Sequence, residues 1–308
     1  MAATVLDGRA LARAIREEVR RRVQALAERG FPPNLVSIQV GESEPSRAYL
    51  MSQRRACAEA GILYSHVQLD AGVSERQLIA HVRAVCDNEE VTGLIIQLPV
   101  PERLDVHRAY LAMDPRKDVE GMHPSNLGSV MLGEPGLQPC TALAVRELVR
   151  ASGVALRGAE VCVVGHSDVV GKPIAVLLLN EDATLAVCHA HTAELAAHTR
   201  RADVLVVAVG QANLIGREHV KPGAVVIDVG MNYLDGAERP VGDVRHAEVA
   251  EVASALTPVP GGVGPVTVAM LLRNTVAAAE AQLAERERAA GAPAGWPCST
   301  PLAAGGKR

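Results

Sequence analysis

Short apolar runs alternate with stretches of helical periodicity along most of this 308-residue chain, and that alternation restricts its fold more than any other feature. Residues 35–40, 64–69 and 93–98 read as buried strands, while 11–27, 46–60 and 74–87 carry apolar residues at helical spacing. A loop-rich stretch, 114–141, leads to a helix at 142–151. The pattern then restarts, with strands at 159–164, 183–188, 204–209 and 224–229 and helices at 171–179 and 193–199. A long amphipathic helix is expected at 266–288. The tail 289–308, rich in Ala, Gly and Pro, has the composition of disorder. Strands alternating with helices imply parallel sheets covered on both faces, so the fold class is α/β. The length allows two domains. They are expected at 1–141, completed by the helix 266–288, and at 142–265.

Composition narrows the function. Net charge is −4 and aromatics make up 2% of the chain, so neither a basic nucleic-acid footprint nor a base-stacking platform is expected. Six scattered cysteines form no CxxC pair, which leaves a structural zinc site without support. They suit a reducing compartment, and the start of the chain reaches charge at once without a secretory apolar core. No apolar run is long enough to span a bilayer. A cytoplasmic protein without membrane or nucleic-acid partners is the expectation.

Two segments carry chemistry. Pro258-Val259-Pro260-Gly261-Gly262-Val263-Gly264-Pro265-Val266-Thr267 places three prolines and three glycines in ten residues. It reads as a stiff, side-chain-poor loop, neither helix nor central strand, ending at a helix start. Such a loop is either a tight turn or a place where backbone approaches a flat or charged ligand. Gly165-His166-Ser167-Asp168-Val169-Val170-Gly171-Lys172-Pro173 follows an apolar strand and opens a helix. That is a dinucleotide-type turn, with Ser167 where the middle glycine usually lies. The second strand of this half ends at His189-Ala190-His191, without the acidic residue that commonly takes ribose hydroxyls in NAD enzymes. His166, His189 and His191 could supply positive charge for a 2′-phosphate. His189 and His191 also have HxH metal spacing, against which stands the lack of a third ligand nearby, and no metal is expected.

Together these residues closely resemble the bifunctional methylenetetrahydrofolate dehydrogenase/cyclohydrolase family, from about residue 6 to 275. The marks are Val40-Gly41 with Ser46 and Tyr49, Gln97-Leu98-Pro99, Lys117-Asp118-Val119-Glu120-Gly121, and Pro139-Cys140-Thr141. The turn at 165–173, Asp228-Val229-Gly230 and the Pro/Gly loop continue the series in order. The resemblance implies oxidation of 5,10-methylenetetrahydrofolate with NADP, or NAD, followed by hydrolysis of the methenyl product to the 10-formyl form. It implies an N-terminal folate domain, a Rossmann-like doubly wound dinucleotide-binding domain and a cleft between them, in a homodimer. Folate contacts are expected from Tyr49, Gln97, Leu98, Pro99, Glu120, Pro260, Gly261, Gly262 and Val263. Cofactor contacts are expected from Gly165, His166, Ser167, Val170, Gly171, His189, Ala190, His191, Gly210, Gly230 and Thr267. Tyr49, Gln53, Gln97 and Glu120 hold the catalytic positions. Without the resemblance, Tyr49 would equally serve as helix packing, and Gln97 as a strand-end amide. Asp118 reads as a loop-pinning residue.

The chain departs from the family pattern in several places. Gln53 stands where the family pairs its Tyr with a Lys one helical turn on. Gln has no titratable amine, so hydrolysis is expected to be weak or lost. Arg54 and Arg55 follow but face other directions. Glu120 replaces the usual Asp, one methylene longer. Ala142 and Ala144 replace Pro and Gly. His166 replaces a frequent Arg, and Ala190 and His191 a frequent Ser and Arg, which depletes the 2′-phosphate pocket. These changes leave room for a paralogue acting on another folate adduct or imine, or for a non-catalytic folate-binding homologue.

Overall fold

The computed structural model describes residues 3–42, 44–234, 236 and 239–291, with the side chains of 44–46, 48 and 291 outside the description. Its first half runs β1 (Thr4–Val5), α1 (Gly8–Glu28), β2 (Asn34–Val40), α2 (Glu44–Ala60), β3 (Leu63–Leu69), α3 (Glu75–Asp87) and β4 (Gly93–Ile96). Three helices follow: α4 (Val106–Leu111), α5 (Pro124–Leu132) and α6 (Cys140–Ala151). The second half runs β5 (Glu160–Val164), α7 (Gly171–Leu179), β6 (Thr184–Cys188), α8 (Leu195–Thr199) and β7 (Val204–Val207). It ends with β8 (Val225–Asp228), α9 (His246–Val249), β9 (Ala255–Leu256) and α10 (Val263–Gly291).

Two parallel sheets result. One has the order β3-β2-β4, with Leu35 opposite both Tyr64 and Gly93. The other has the order β1-β9-β8-β7-β5-β6, in which β5 lies between β6 and β7 and the order reverses beside it. Strands β7 and β8 are buried along their whole length, as helices on both faces require. β1 pairs in parallel with β9, so the first residues of the chain join the six-stranded sheet. Two residues carry no periodicity, so neither strand of this pair is expected from the sequence.

Several elements differ from the sequence expectation. The loop-rich stretch contains α5, started by Pro124 at its first turn and closed by Gly133 in the left-handed region. Helix α4, six residues capped by Asp105, is too short for periodicity to reveal. Strand β4 ends at Ile96, leaving Gln97 and Leu98 beyond it. Helix α10 begins at Val263 and not at 266, so Gly264 and Pro265 lie inside its first turn. Proline is tolerated there because that N–H has no intrahelical partner. Residues 289–291 continue α10; the rest of the expected disordered tail, 292–308, lies outside the described residues.

Helix α10 folds back along α1 and α6. Ile15, Val19 and Val23 of α1 join Val268, Leu271, Leu272 and Val276 of α10 in one core cluster. Arg22–Glu280 (2.7 Å) and Arg29–Glu287 (2.5 Å) tie the two helices along their exposed edge. Asp7 caps α1 by accepting from the Arg9 and Ala10 amides. The next residue, Gly8, abuts the Pro/Gly loop so closely that a Cβ there would lie 1.8 Å from the Gly262 carbonyl oxygen. Gly8→Ala is expected to push α1 off that loop at a cost of at least about 1–3 kcal/mol. Denaturant unfolding measures it; a midpoint equal to wild type would refute the contact. No helix among the described residues is long and apolar enough to cross a membrane.

Candidate active site

A cleft of about 1240 Å³ opens between the two sheets. One wall comes from α1 and α2, with Tyr49, Ser52 and Ala56 facing the space. The Pro/Gly loop forms the floor from Pro258 to Pro265, and Val170, Asp228, Val229 and Gly230 close the opposite wall. The structure thus brings Tyr49, Leu98, Pro260, Gly261, Gly262 and Val263 to one cavity with Val170, Gly230 and Thr267. Pro99 is exposed and does not line it. Gln53, Gln97 and Glu120 lie outside the lining residues.

Gln53 follows Tyr49 by one turn of α2, as the spacing requires, and is fully buried. Its Oε1 accepts from Gln97 Nε2 at 2.8 Å, and the same Gln97 nitrogen donates to Ser37 Oγ at 2.9 Å. Gln97 is itself buried, just past the carboxyl end of β4, where α/β sheets present ligand contacts. The Gln53 Nε2 atom is buried without a partner, as is Glu120 Oε2. Such atoms cost about 1–3 kcal/mol each unless something else satisfies them. A donor and an acceptor left open near one tyrosine are what a ligand with its own polar edge would fill.

The electrostatics fit that picture. Burial, with the Asp118 carboxylate adding to it, pushes the Glu120 carboxyl up to about 8. Burial and then the Glu120 charge raise the Tyr49 phenol well above its ordinary value, while the Gln53 amide works the other way. Asp118 pins the loop, accepting from the Gly121 and His123 amides and from Asn126 Nδ2. Arg54 and Arg55 are exposed, and Arg55 pairs with Glu59 at 2.7 Å. Neither supplies a cation beside Gln53. The Ser46 side chain lies outside the described residues.

Across the cleft, the turn after β5 has the form a dinucleotide needs. Gly165 sits at φ 118, and a Cβ there would meet the Ala208 carbonyl oxygen at 2.2 Å. A Cβ on Gly171 would meet the Gly165 oxygen at the same distance. Backbone therefore crosses backbone at the start of α7, which only glycine permits. Ser167 Oγ accepts from the Val170 and Gly171 amides at 3.3 and 3.4 Å. Two further loops are fixed by carboxylates: Asp243 holds the Val209 and Gly210 amides, and Asp228 holds those of Gly230, Asp243 and Val244. Burial raises the Asp228 carboxyl to about 6 against these three donors. Open space lies beside Gly210. These residues fit a bound dinucleotide.

His166 and His189 lie with ring centroids 4.9 Å apart, and His189 and His191 6.0 Å apart, so three imidazoles gather at the ends of β5 and β6 around Ala190. Among the described residues no three His, Cys, Asp or Glu side chains converge as a metal set. Among the cleft residues missed in sequence are four arginines of α1: Arg9, Arg13, Arg16 and Arg20. They looked like the polar face of an amphipathic helix. Their 4-3-4 spacing, which puts all four on one stripe, was the available signal.

A parallel six-stranded sheet with a glycine turn at its order reversal, facing a second α/β unit across a cleft, defines a two-domain dinucleotide-dependent oxidoreductase scaffold. Residues 6–120 match the tetrahydrofolate dehydrogenase/cyclohydrolase catalytic domain, and residues 139–283 match the NAD(P)-binding domain of the same family. The chain belongs to the tetrahydrofolate dehydrogenase/cyclohydrolase family. It is 48% identical over 279 residues to the bifunctional protein FolD of Bordetella petrii, covering 90% of this chain and 94% of that one. The crystal structure of bifunctional FolD, a methylenetetrahydrofolate dehydrogenase/cyclohydrolase from Campylobacter jejuni, superposes with a TM-score of 0.89 at 40% identity. It covers 91% of this chain and 100% of its own. The Trypanosoma brucei enzyme, complexed with NADP cofactor and inhibitor, gives 0.89 at 39% identity, covering 92% and 99%.

Proposed function

We propose that this chain oxidises 5,10-methylenetetrahydrofolate to the 5,10-methenyl form with NADP, and hydrolyses that product weakly or not at all. The observation that carries the reading is the shared cleft. Tyr49 and Pro260–Val263 face Val170 and Gly230 across it, with the open polar atoms of Gln53 and Glu120 near Tyr49. A nicotinamide dinucleotide held by Gly165, Ser167 and Gly171 would supply the acceptor for the hydride that leaves the methylene carbon. The chain's own contribution is positioning. Tyr49 is assigned to stack on the folate ring system and the Pro/Gly loop to cover its other side. The Glu120 carboxyl accepts from the amino-pyrimidine edge, and Gln97 holds the Gln53 amide in place. Residues 1–141 with 266–288 take the folate, and 142–265 the dinucleotide.

Ring opening requires protons to move around an attacking water. Gln53 can donate or accept a hydrogen bond there but cannot exchange a proton at neutral pH. That loss supports uncoupling of the two half-reactions. Absorbance assays of each, with NADP and with NAD, test the reading. Oxidation of methylenetetrahydrofolate with negligible enzymatic hydrolysis is expected; enzymatic release of 10-formyltetrahydrofolate well above the spontaneous rate overturns the hydrolytic part. Turnover confined to a different folate adduct would favour a paralogue, and nicotinamide-independent folate binding without turnover a binding protein.

His166, His189 and His191 are assigned to the 2′-phosphate end of the cofactor. Arginine binds phosphate bidentately with a permanent charge, which an imidazole cannot match. The double change His166→Arg, His191→Arg is expected to raise the preference for NADP over NAD by about tenfold or more in kcat/KM. An unchanged ratio would remove these histidines from that subsite. The five described cysteines are all free, which suits a cytoplasmic location. The homodimer is supported by β3, an edge strand with Leu63 exposed; light scattering on the purified chain tests it.

A further inference from the structure

Behind the Tyr49 wall a buried hydroxyl and a buried carboxyl oxygen both lack a partner. Tyr110 of α4 is 1% exposed, in the cluster of Leu78, Val82, Met113 and Met122 on the face of the three-stranded sheet turned away from α2. Its hydroxyl makes no hydrogen bond. Phenylalanine would fill the same space without the cost of an open polar atom. Asp118 bridges to Leu94 on the free side of β4, so residues 118–120 pass along the rim between the two faces of that sheet. Glu120 is half-buried there, and its Oε2 atom is buried and open. Burial, then the Glu120 charge, then Asp118 raise the Tyr110 phenol well above its ordinary value. Of these two acids, Asp118 is already served: it accepts from the Gly121 and His123 amides and from Asn126 Nδ2. The Glu120 carboxyl has no such donor among the described residues. Its charge also acts on Tyr49, so it stands near both the cleft tyrosine and the buried one.

We propose that Tyr110 is a positioning residue for the folate: its hydroxyl donates to Glu120 Oε2 and so fixes the carboxylate that accepts from the amino-pyrimidine edge. The inference rests on the role assigned to Glu120 above and extends it. Each carboxylate oxygen accepts two hydrogen bonds, so a bond from Tyr110 leaves both oxygens able to accept from the ligand. A phenol bound to a carboxylate is a charge-assisted pair, about twice as strong as a neutral one. It favours the charged form and works against the burial that opposes it. The other groups around Glu120 do not serve this purpose. Tyr49 of α2 and Cys140 of α6 are both held well above their ordinary values, by burial first and then by the Glu120 charge itself. Asp118 adds repulsion. His123 acts on Asp118, and Arg273 of α10 acts on Cys140 and pairs with Glu147. Among the described residues no cation offsets the burial of Glu120, which makes a neutral donor the means of holding its charge. The plain alternative, a core tyrosine whose hydroxyl serves nothing, predicts no effect on Glu120.

Tyr110→Phe tests the proposal, because it removes one oxygen and keeps the ring. The first readout is KM for methylenetetrahydrofolate against pH. The fall in KM that follows Glu120 ionisation is expected to move up by about one to two pH units, the worth of a charge-assisted bond. At pH 8 the variant's KM should be at least about fivefold higher than that of the wild type, with kcat changing less. The second readout needs no folate. The folded pKa of Glu120 is raised to about 8, so stability falls as pH rises through that value. Raising the pKa further prolongs the fall, and the loss of stability between pH 5 and pH 9 should be larger in Tyr110→Phe than in the wild type. In a Glu120→Gln background neither pH dependence should respond to Tyr110→Phe. A KM midpoint or an unfolding difference equal to wild type overturns the proposal, as does the same response in the Glu120→Gln background. If methylenetetrahydrofolate is not turned over, the functional reading fails, and the unfolding measurements still decide whether Tyr110 holds Glu120.

Discussion

Gln53→Lys is expected to raise hydrolysis of methenyltetrahydrofolate by about two to four decades, the usual worth of a positioned acid–base group. The surroundings can receive the amine. Gln53 is fully buried one turn after Tyr49, and its amide oxygen is the acceptor for Gln97 Nε2 at 2.8 Å. An ammonium cannot accept, but Gln97 can turn its own amide over and present oxygen to the new donor. Ser37 Oγ, now an acceptor from Gln97, can donate instead, because a hydroxyl does both. The Glu120 carboxyl lies near Tyr49, the ring that precedes the new amine on the helix, and a cation there would favour its ionised form. Burial would lower the lysine pKa toward neutrality, where a proton shuttle works best. Gln53→Met is the control, since it fills the space without an exchangeable proton. Decay of methenyl absorbance, enzyme minus buffer, gives the rate. A folded lysine variant that oxidises methylenetetrahydrofolate but hydrolyses no faster than wild type would refute the role assigned to position 53.

The α/β class and most element positions were legible because buried parallel strands leave unmistakable runs such as Val204–Val207, and long helices such as α1 leave a stripe. What could not be read were short elements whose existence depends on tertiary partners. β1 exists only because β9 offers an edge. Helix α10 extends three residues into the Pro/Gly loop because a helix's first turn asks for no amide from Pro265. The site divided in the same way. Tyr49 to Gln53 is a local spacing that helix geometry fixes, and both side chains lie where that spacing puts them. The Gln53–Gln97–Ser37 chain joins α2, the end of β4 and β2 through hydrogen bonds that no single segment encodes. The arginines were visible as letters. Their meaning came only when α1 was seen to border the cleft, which required knowing that Gly8 lets the helix start against Gly262.

Glu120→Gln is expected to stabilise the fold strongly at alkaline pH and to damage oxidation. Burial pushes the Glu120 carboxyl up to about 8 in the folded chain, against about 4.5 for a solvated glutamate. Its folded pKa is therefore raised, and the stabilising contribution of the protonated form is complete below about pH 4.5. It is lost progressively as pH rises through 8, since the unfolded chain gives up the proton first. At 1.36 kcal/mol per pKa unit the loss reaches about 4 kcal/mol at pH 8, and it is under about 1 kcal/mol at pH 5. Gln keeps the shape and removes the titration, so the variant should gain on wild type at pH 8 and match it closely at pH 5. Denaturant unfolding at the two pH values measures the difference. An identical gap at both would show that Glu120 is not held against its charge. The same substitution takes away the carboxylate assigned to the amino-pyrimidine edge. A charged hydrogen bond lost there is worth about 1.5–3 kcal/mol, so kcat/KM for methylenetetrahydrofolate should fall by at least about tenfold. For the wild type, folate that binds the ionised carboxylate should also show KM falling about tenfold between pH 7 and 9, as Glu120 titrates without help from the ligand. A residue that destabilises its fold and is needed for binding is what a strained active site predicts, and the two measurements on one variant decide whether Glu120 is such a residue.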